Sequence, residues 1–172
     1  MPESSAELGR ALIEECRRRL FSESLPRIRQ CLGALTVGEI WARPNGHTVG
    51  AGNLVLHLAG NVRQWIVAGL GGAADVRERQ AEFDAPGPMP TEELLGRLEK
   101  ALSDASAVLD GLDPGSLLAP RRVQGFTESG LSILVHVVEH FSYHTGQIAY
   151  ILKSRKDVDL GFYRGQDLDA KG

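Results

Sequence analysis

The segment from Ser129 to Lys156 constrains the fold more than any other, because three of the five histidines lie in it at regular intervals. His136, His140 and His144 follow one another at i+4. On an α-helix such a step drifts only about 40° around the axis, so the three imidazoles share one face. The same face carries apolar side chains, namely Leu134, Val137, Val138, Phe141, Ile148 and Ile151. The pattern predicts a helix whose histidine face is buried, where each imidazole needs a polar partner.

A metal ion is one such partner. Two histidines at i and i+4 can bind one ion from one side, and a further ligand must come from another element. His57 is the expected donor, since it lies in a second amphipathic stretch, NLVLHLAGNVRQWIVAGL. His136 and His144 are about 12 Å apart along a helix axis, so only one adjacent pair can share an ion with His57. The other interpretation is a hydrogen-bonded core stripe without metal.

Composition and charge exclude several classes of protein. A chain of 172 residues with 42% apolar residues is large enough for one domain with a substantial core, so we expect residues 1–172 to form a single domain. A net charge of -3 without an extended basic cluster argues against nucleic-acid binding. No apolar run approaches the roughly 20 residues of a membrane span, and the N-terminus lacks a signal-peptide pattern, so a soluble cytoplasmic protein is expected. Cys16 and Cys31 lie about 22 Å apart on one predicted helix, too far for a disulfide.

Apolar periodicity predicts four helical stretches. They cover residues 7–35, residues 53–69, residues 91–112 and a last stretch that begins at Thr127 or Ser129 and ends near Lys156. Ser24 and Thr91 are the expected N-caps of helices, and Pro26 should kink or restart the first stretch. Residues 36–52 should form a loop with at most a short turn at Val37–Trp41.

The connections are expected to lack regular structure. Pro86, Pro88 and Pro90 exclude a helix before the third stretch, and residues 120–128 read as a short polar link anchored by Val123 and Phe126.

The fold class predicted from these elements is all-α, a four-helix bundle. Both connections that flank the third helix are long, roughly 17–20 residues, so at least one crossover is expected. The apolar excess of the first helix, together with Trp41 and Trp65, predicts a homodimer. Residues 165–172 should fray.

The stretches GNLVLHLAGNVRQWI and EHFSYHTGQIAYI resemble the DinB-like superfamily, damage-inducible four-helix bundles that include thiol-dependent transferases. More narrowly, the chain resembles a bacterial branch of uncharacterised members, and the resemblance covers essentially its whole length. It implies an up-down-down-up bundle in which one histidine of the second helix and an HxxxH pair of the fourth meet at a divalent ion. The corresponding residues are His57, His140 and His144, and the His-x-Gly-Gln ending is present as His144 to Gln147. Characterised relatives use a nickel, zinc or manganese ion, and several transfer low-molecular-weight thiols such as bacillithiol or mycothiol.

The choice of His140 and His144 over His136 also has support from neighbouring residues. Gly146 would allow a close helix approach, and the amide of Gln147 could orient a ring or a substrate. His136, one turn before His140, is then expected to be a core residue or to contact the ligand histidines without binding the ion. Three further residues are candidates to support the site or contact the substrate: Asn61, Tyr143 and Glu139.

The predicted activity is a metal-dependent transfer of a thiol to a small electrophilic substrate. Three neutral imidazoles leave a divalent ion its full charge and an open position, as in catalytic sites. Two alternatives remain: a metal-dependent hydrolase with a carboxylate base, for which Glu139 is nearest in sequence, and a non-catalytic stress-response or interaction bundle with a structural metal or none. No catalytic residue beyond the predicted ligands can be assigned from the sequence.

Overall fold

The computed structural model describes residues 2–171. Its helices are α1 (Pro2–Arg17), α2 (Leu25–Gly33), α3 (Val37–Trp41), α4 (Ala51–Val62), α5 (Arg79–Asp84), α6 (Thr91–Gly111) and α7 (Gly130–Arg155). Two strands, β1 (Pro120–Val123) and β2 (Phe126–Ser129), pair as an antiparallel hairpin just before α7. Turns of π-helix at Arg18–Ser24 and Arg63–Ala68 continue α1 and α4, and a 3-10 turn occupies Pro114–Leu118. The structure is therefore mostly helical, which confirms the predicted all-α bundle.

Contacts between the long helices give their relative directions. Cys16 Sγ lies 4.0 Å from the carbonyl oxygen of Leu134, and Gln30 Nε2 donates to the carbonyl of Leu160 beyond the end of α7. Residue numbers thus rise together along α1–α2 and along α7, so these two segments are parallel.

Two other helix pairs run in opposite directions. The contacts are His57–His140 and Asn61–His136 between α4 and α7, and Arg17–Asp110 and Arg29–Glu99 between α1–α2 and α6. In each pair one number rises as the other falls, so α4 and α6 are both antiparallel to the first and last helices. The order is up-down-down-up, with a crossover between α4 and α6 that contains α5.

The first helical stretch does not restart at Ser24. This residue has helical dihedral angles and no side-chain capping bond, and the N–H of Leu25 bonds to the carbonyl of Leu20, five residues back. Because Pro26 lacks an N–H, it cannot extend the regular i→i−4 pattern, and the wider π turn immediately before it keeps the chain helical. The prediction of an N-cap at Ser24 was wrong.

Other boundaries differ from the predictions in smaller ways. α4 begins at Ala51, two residues before the expected Asn53, and α6 has Pro90 at its N-cap, while Thr91 makes no capping bond. Ser129 does cap α7, since its side chain accepts from the N–H of Ser132 at 3.0 Å. The short turn expected at Val37–Trp41 is α3.

Both tryptophans are buried within the chain, with 9% and 5% of their surface exposed for Trp41 and Trp65. One bundle therefore accommodates them, and they no longer support the predicted homodimer, which stays a prediction. The frayed tail at residues 165–172 is also untested, and its last residue, Gly172, lies outside the described residues.

Candidate metal centre

Three imidazoles converge between α4 and α7, which are the second and fourth long helices of the bundle. They belong to His57 of α4 and to His140 and His144 of α7, and one ligand nitrogen of each lies within 4.8 Å of the other two. The Nε2 atoms of His57 and His140 are 2.9 Å apart. His57 and His144 are buried, and His140 is partly buried. The structure thus brings together the three residues that the sequence assigned as ligands, while their metal binding stays a prediction.

Burial determines the charge state of His140 and His144, the two histidines that α7 contributes to the cluster. It lowers the pKa of His140 to about 3, with a further contribution from the imidazoles of His144 and His57. Burial also lowers the pKa of His144, although the hydrogen bond to Gln147 opposes that effect. Both rings are therefore neutral at pH 7, the form in which an imidazole nitrogen can bind a metal.

The fourth histidine, His136, lies one turn before His140 and has different neighbours. Its ring stacks on Trp65 with 3.7 Å between centroids, and its Nε2 atom lies 3.2 Å from Nδ2 of Asn61. Asn61 is 2% exposed, and its carbonyl oxygen has no hydrogen-bond partner in the described part of the chain. The His136 ring lies 5.4 Å from the His140 ring between centroids, so His136 and Asn61 lie beside the cluster.

Gln147 and Tyr143 contact the cluster from the solvent side. Gln147 Oε1 lies 2.6 Å from Nδ1 of His144, and its Nε2 donates to the Tyr143 hydroxyl at 3.4 Å. Tyr143 is 63% exposed, so it does not belong to the core. Its ring lies edge-on to His144 with centroids 5.0 Å apart.

Two other residues named in the sequence analysis are exposed. Gly146 is exposed and has no atom within 4 Å of where a Cβ would lie, so it does not mediate a close helix approach. Glu139 is exposed and forms no hydrogen bond or ion pair within residues 2–171, so the structure does not bring it into the cluster.

A carboxylate does contact the cluster, but it comes from the crossover between α4 and α6. We call residues 75–85, which include α5, the strap. Glu82 Oε2 lies 2.8 Å from Nδ1 of His57, and Arg77 donates to both carboxylate oxygens at 2.7 and 2.8 Å. Burial alone would raise the pKa of Glu82, but the hydrogen bonds from Arg77 and His57 outweigh it and lower the pKa. Glu82 is therefore ionised at neutral pH.

Further polar contacts fasten the strap to α4. Gln64 accepts from Nη1 of Arg77 and donates to Asp75, both at 2.8 Å. Asn53 donates to the carbonyls of residues 82, 83 and 85. The strap thus contacts α4 at Asn53 and the following π turn at Gln64, on either side of His57.

Sequence reasoning missed the strap because its residues show no periodicity and were assigned to an irregular connection. A signal was nevertheless present on the partner helix. Asn53, His57, Gly60 and Gln64 follow one another at i, i+4, i+7 and i+11, which forms a stripe of polar and small residues along a mostly apolar segment. Such a stripe requires a polar partner.

The strap also separates the cluster from a cavity of about 870 Å³ between α4, the strap and α6. Arg77 and Glu82 line this cavity, whereas the three histidines do not. The cavity therefore borders the strap and not the imidazoles themselves.

An up-down-down-up helical bundle with a histidine cluster between its second and fourth helices defines a protein of the DinB-like superfamily, as the sequence resemblance implied. The family model described as mycothiol-S-transferase matches residues 18–157, and the chain belongs to that family. No curated protein matches the chain. Within residues 2–171, no helix combines the length and the apolarity needed to cross a membrane.

Proposed function

We propose that the protein is a metal-dependent thiol S-transferase that joins the sulfur of mycothiol to an electrophilic carbon of a small substrate. His57, His140 and His144 would hold a divalent ion, for which nickel, zinc and manganese are the candidates. The observation that carries the proposal is the convergence of three imidazoles in a chain that belongs to the mycothiol-S-transferase family.

The donor set fits such an ion. Two nitrogens that bind one ion at about 2.1 Å and about 90° to each other are about 3 Å apart. The separation of 2.9 Å between the Nε2 atoms of His57 and His140 is close to this value. Three imidazoles with no carboxylate or thiolate among them are also typical of catalytic sites that keep a position open for a substrate.

The chain's own residues would then orient the ligands and the substrates. The Gln147 carbonyl oxygen accepts from Nδ1 of His144, which leaves Nε2 of that ring for a ligand. Tyr143 is exposed beside His144 and can donate its phenol to a polar group of the thiol. The carbonyl oxygen of Asn61 is buried and has no hydrogen-bond partner within residues 2–171, so Asn61 would support the site through its contact with His136 and would not touch a substrate. A bound divalent ion would lower the pKa of the thiol, so that the sulfur reacts as a thiolate after its proton passes to solvent. The new carbon–sulfur bond would replace the bond from that carbon to its leaving group, which is released as halide from an aryl halide.

The placement of the carboxylates favours thiol transfer over hydrolysis. A hydrolase of this kind needs a free carboxylate that can accept a proton from water. Glu139 lies outside the cluster. Both oxygens of Glu82 accept hydrogen bonds from Arg77, and Oε2 also lies 2.8 Å from Nδ1 of His57. Neither carboxylate is placed to act as a base at the imidazoles.

The test combines metal analysis with an assay for thiol transfer. The purified protein should contain about one divalent ion per chain, and it should consume mycothiol together with a chromogenic aryl halide. Removal of the ion should abolish transfer, and its return should restore it. The cobalt form should gain a sulfur-to-metal charge-transfer band when mycothiol is added.

Variants make the assignment specific. His140→Ala should lose both the ion and transfer, while His47→Ala serves as the control because His47 is the fifth histidine and lies exposed outside the cluster. Transfer by the metal-free protein at the wild-type rate would contradict the metal dependence. A metal-loaded protein that consumes neither mycothiol nor bacillithiol would contradict the proposed activity.

A further inference from the structure

A histidine can bind a metal through Nε2 only when that nitrogen carries no proton. In His57, Nε2 faces His140 and Nδ1 faces the strap. The position of one proton on the His57 ring therefore decides whether the cluster offers three ligands or two.

Two strap groups compete for Nδ1 of His57. Glu82 Oε2 lies 2.8 Å away and can only accept a hydrogen bond, whereas Arg77 Nη2 lies 3.0 Å away and can only donate one. A proton on Nδ1 satisfies Glu82. An unprotonated Nδ1 would accept a hydrogen bond from Arg77, but its lone pair would then face the negatively charged carboxylate of Glu82, which is unfavourable.

The remaining contacts of Arg77 resolve this competition. Its Nη2 group already has two acceptors, Glu82 Oε2 at 2.8 Å and the main-chain carbonyl of His57 at 3.3 Å, so it does not need the ring nitrogen. The bond from Nδ1–H to the carboxylate is the shorter contact, and bonds to an ionised acceptor are about twice as strong as neutral ones. The arrangement favours the proton on Nδ1.

Gly60 makes this arrangement possible. A Cβ at this position of α4 would collide with Oε1 of Glu82 and would lie 2.9 Å from Nε of Arg77. Any side chain there would push the carboxylate away from His57. The Arg77 side chain is only 4% exposed and donates to Gln64, which is 8% exposed, so these contacts hold the guanidinium beside Glu82.

We propose that Glu82 is a positioning residue which, held by Arg77 in the gap left by Gly60, keeps the His57 proton on Nδ1 and leaves Nε2 free for the metal. The crossover strap is thereby part of the metal centre although it supplies no ligand. This inference rests on the proposed metal site, yet the proton position can be measured without any metal.

The primary experiment locates that proton in the metal-free protein by long-range ¹H–¹⁵N correlation of the histidine rings, assigned with His57→Gln. Wild type should show the Nδ1–H tautomer at His57. Glu82→Ala should shift it towards Nε2–H, because Arg77 can then donate to Nδ1. Wild type with the proton on Nε2 would overturn the proposal, whether or not the protein binds metal or transfers thiols.

Metal titration gives the second readout. Loss of a supporting hydrogen bond to a ligand histidine typically weakens metal binding about 10–100-fold, and this loss is expected for Glu82→Ala and for Gly60→Ala. Glu82→Gln keeps the shape of the side chain and removes its charge. Its metal affinity should lie between that of these variants and that of wild type.

Two matched controls separate positioning from stability. Glu78→Gln removes the same charge from an exposed strap residue, and Gly96→Ala adds a Cβ on α6 where no atom lies within 4 Å. Both should keep wild-type affinity, and circular dichroism should show native helix content in every variant compared. Wild-type affinity in a folded Glu82→Ala protein would overturn the proposal.

Discussion

His136 differs from the three clustered histidines in the partners of its ring. It stacks on Trp65, its Nε2 faces the amide of Asn61, and its ring centroid lies 5.4 Å from that of His140 in a nearly parallel arrangement. Burial lowers the pKa of His136, so this ring is neutral at pH 7 as well. A neutral ring held between an indole and an imidazole can support His140 by packing without contacting an ion.

Alanine substitutions should therefore divide the four histidines into two groups. We expect His57→Ala, His140→Ala and His144→Ala each to abolish stoichiometric metal binding, because each would remove one ligand of the proposed three-histidine site. His136→Ala should weaken metal binding by no more than about tenfold. This is the smallest loss typical of a residue that contacts the ligands but not the ion. Equilibrium dialysis with elemental analysis measures both outcomes. Metal retained in His144→Ala and lost in His136→Ala would show that the other adjacent pair binds the ion.

At the same scale, the sequence predicted the residues whose positions follow from helical periodicity. His140 and His144 share a face because they are four residues apart, and His57 was inferred as their partner because it lies on another amphipathic helix. Glu82 could not be inferred in this way, because its contact with His57 depends on how an irregular crossover folds back over α4. Gly146 was misinterpreted for a related reason: a small residue allows a close approach, but only the tertiary structure shows whether another helix is there.

Helix capping at the element scale gives a prediction that does not depend on the metal. The Ser129 side chain accepts from the N–H of Ser132, whereas Thr91 makes no such bond at the start of α6. Ser129→Ala should lower the free energy of unfolding by about 1 kcal/mol. Thr91→Ala should leave it unchanged or slightly higher, because alanine has the better helix propensity. Urea unfolding monitored by circular dichroism measures both, and an equal loss in the two variants would contradict the assignment of the caps.

The elements that the sequence missed are short and have little periodicity. The β-hairpin before α7 pairs only residues 120–123 with 126–129, too few for a clear alternation of apolar and polar positions. Its turn places Gln124 and Gly125 at φ values of 50° and 84°, and glutamine is not a residue that signals such a turn. Trp65 nevertheless donates to Gln124 at 3.0 Å, so the hairpin helps to hold the ring on which His136 stacks.

At the scale of the whole molecule, the cluster joins two helices that are distant in sequence. His57 and His140 are separated by 83 residues, and α4 and α7 run antiparallel on either side of the imidazoles. The crossover that makes α4 and α6 parallel carries the strap across α4 at the level of His57. An ion bound to all three rings would thus link the second helix, the fourth helix and, through Glu82, the crossover.

Metal should therefore stabilise the whole fold and not only the site. An ion that binds the native state stabilises it by about 2.7 kcal/mol when its free concentration is 100 times the dissociation constant, and less if the unfolded histidines also bind. We expect the midpoint of urea unfolding to rise when nickel, zinc or manganese is added to metal-free wild type. The exposed-histidine variant His47→Ala should show the same increase, whereas His140→Ala should show none, since two remaining rings do not hold the ion. An increase in His140→Ala equal to that in wild type would mean that the ion binds elsewhere, and no increase with any of the three ions would contradict the three-histidine metal site.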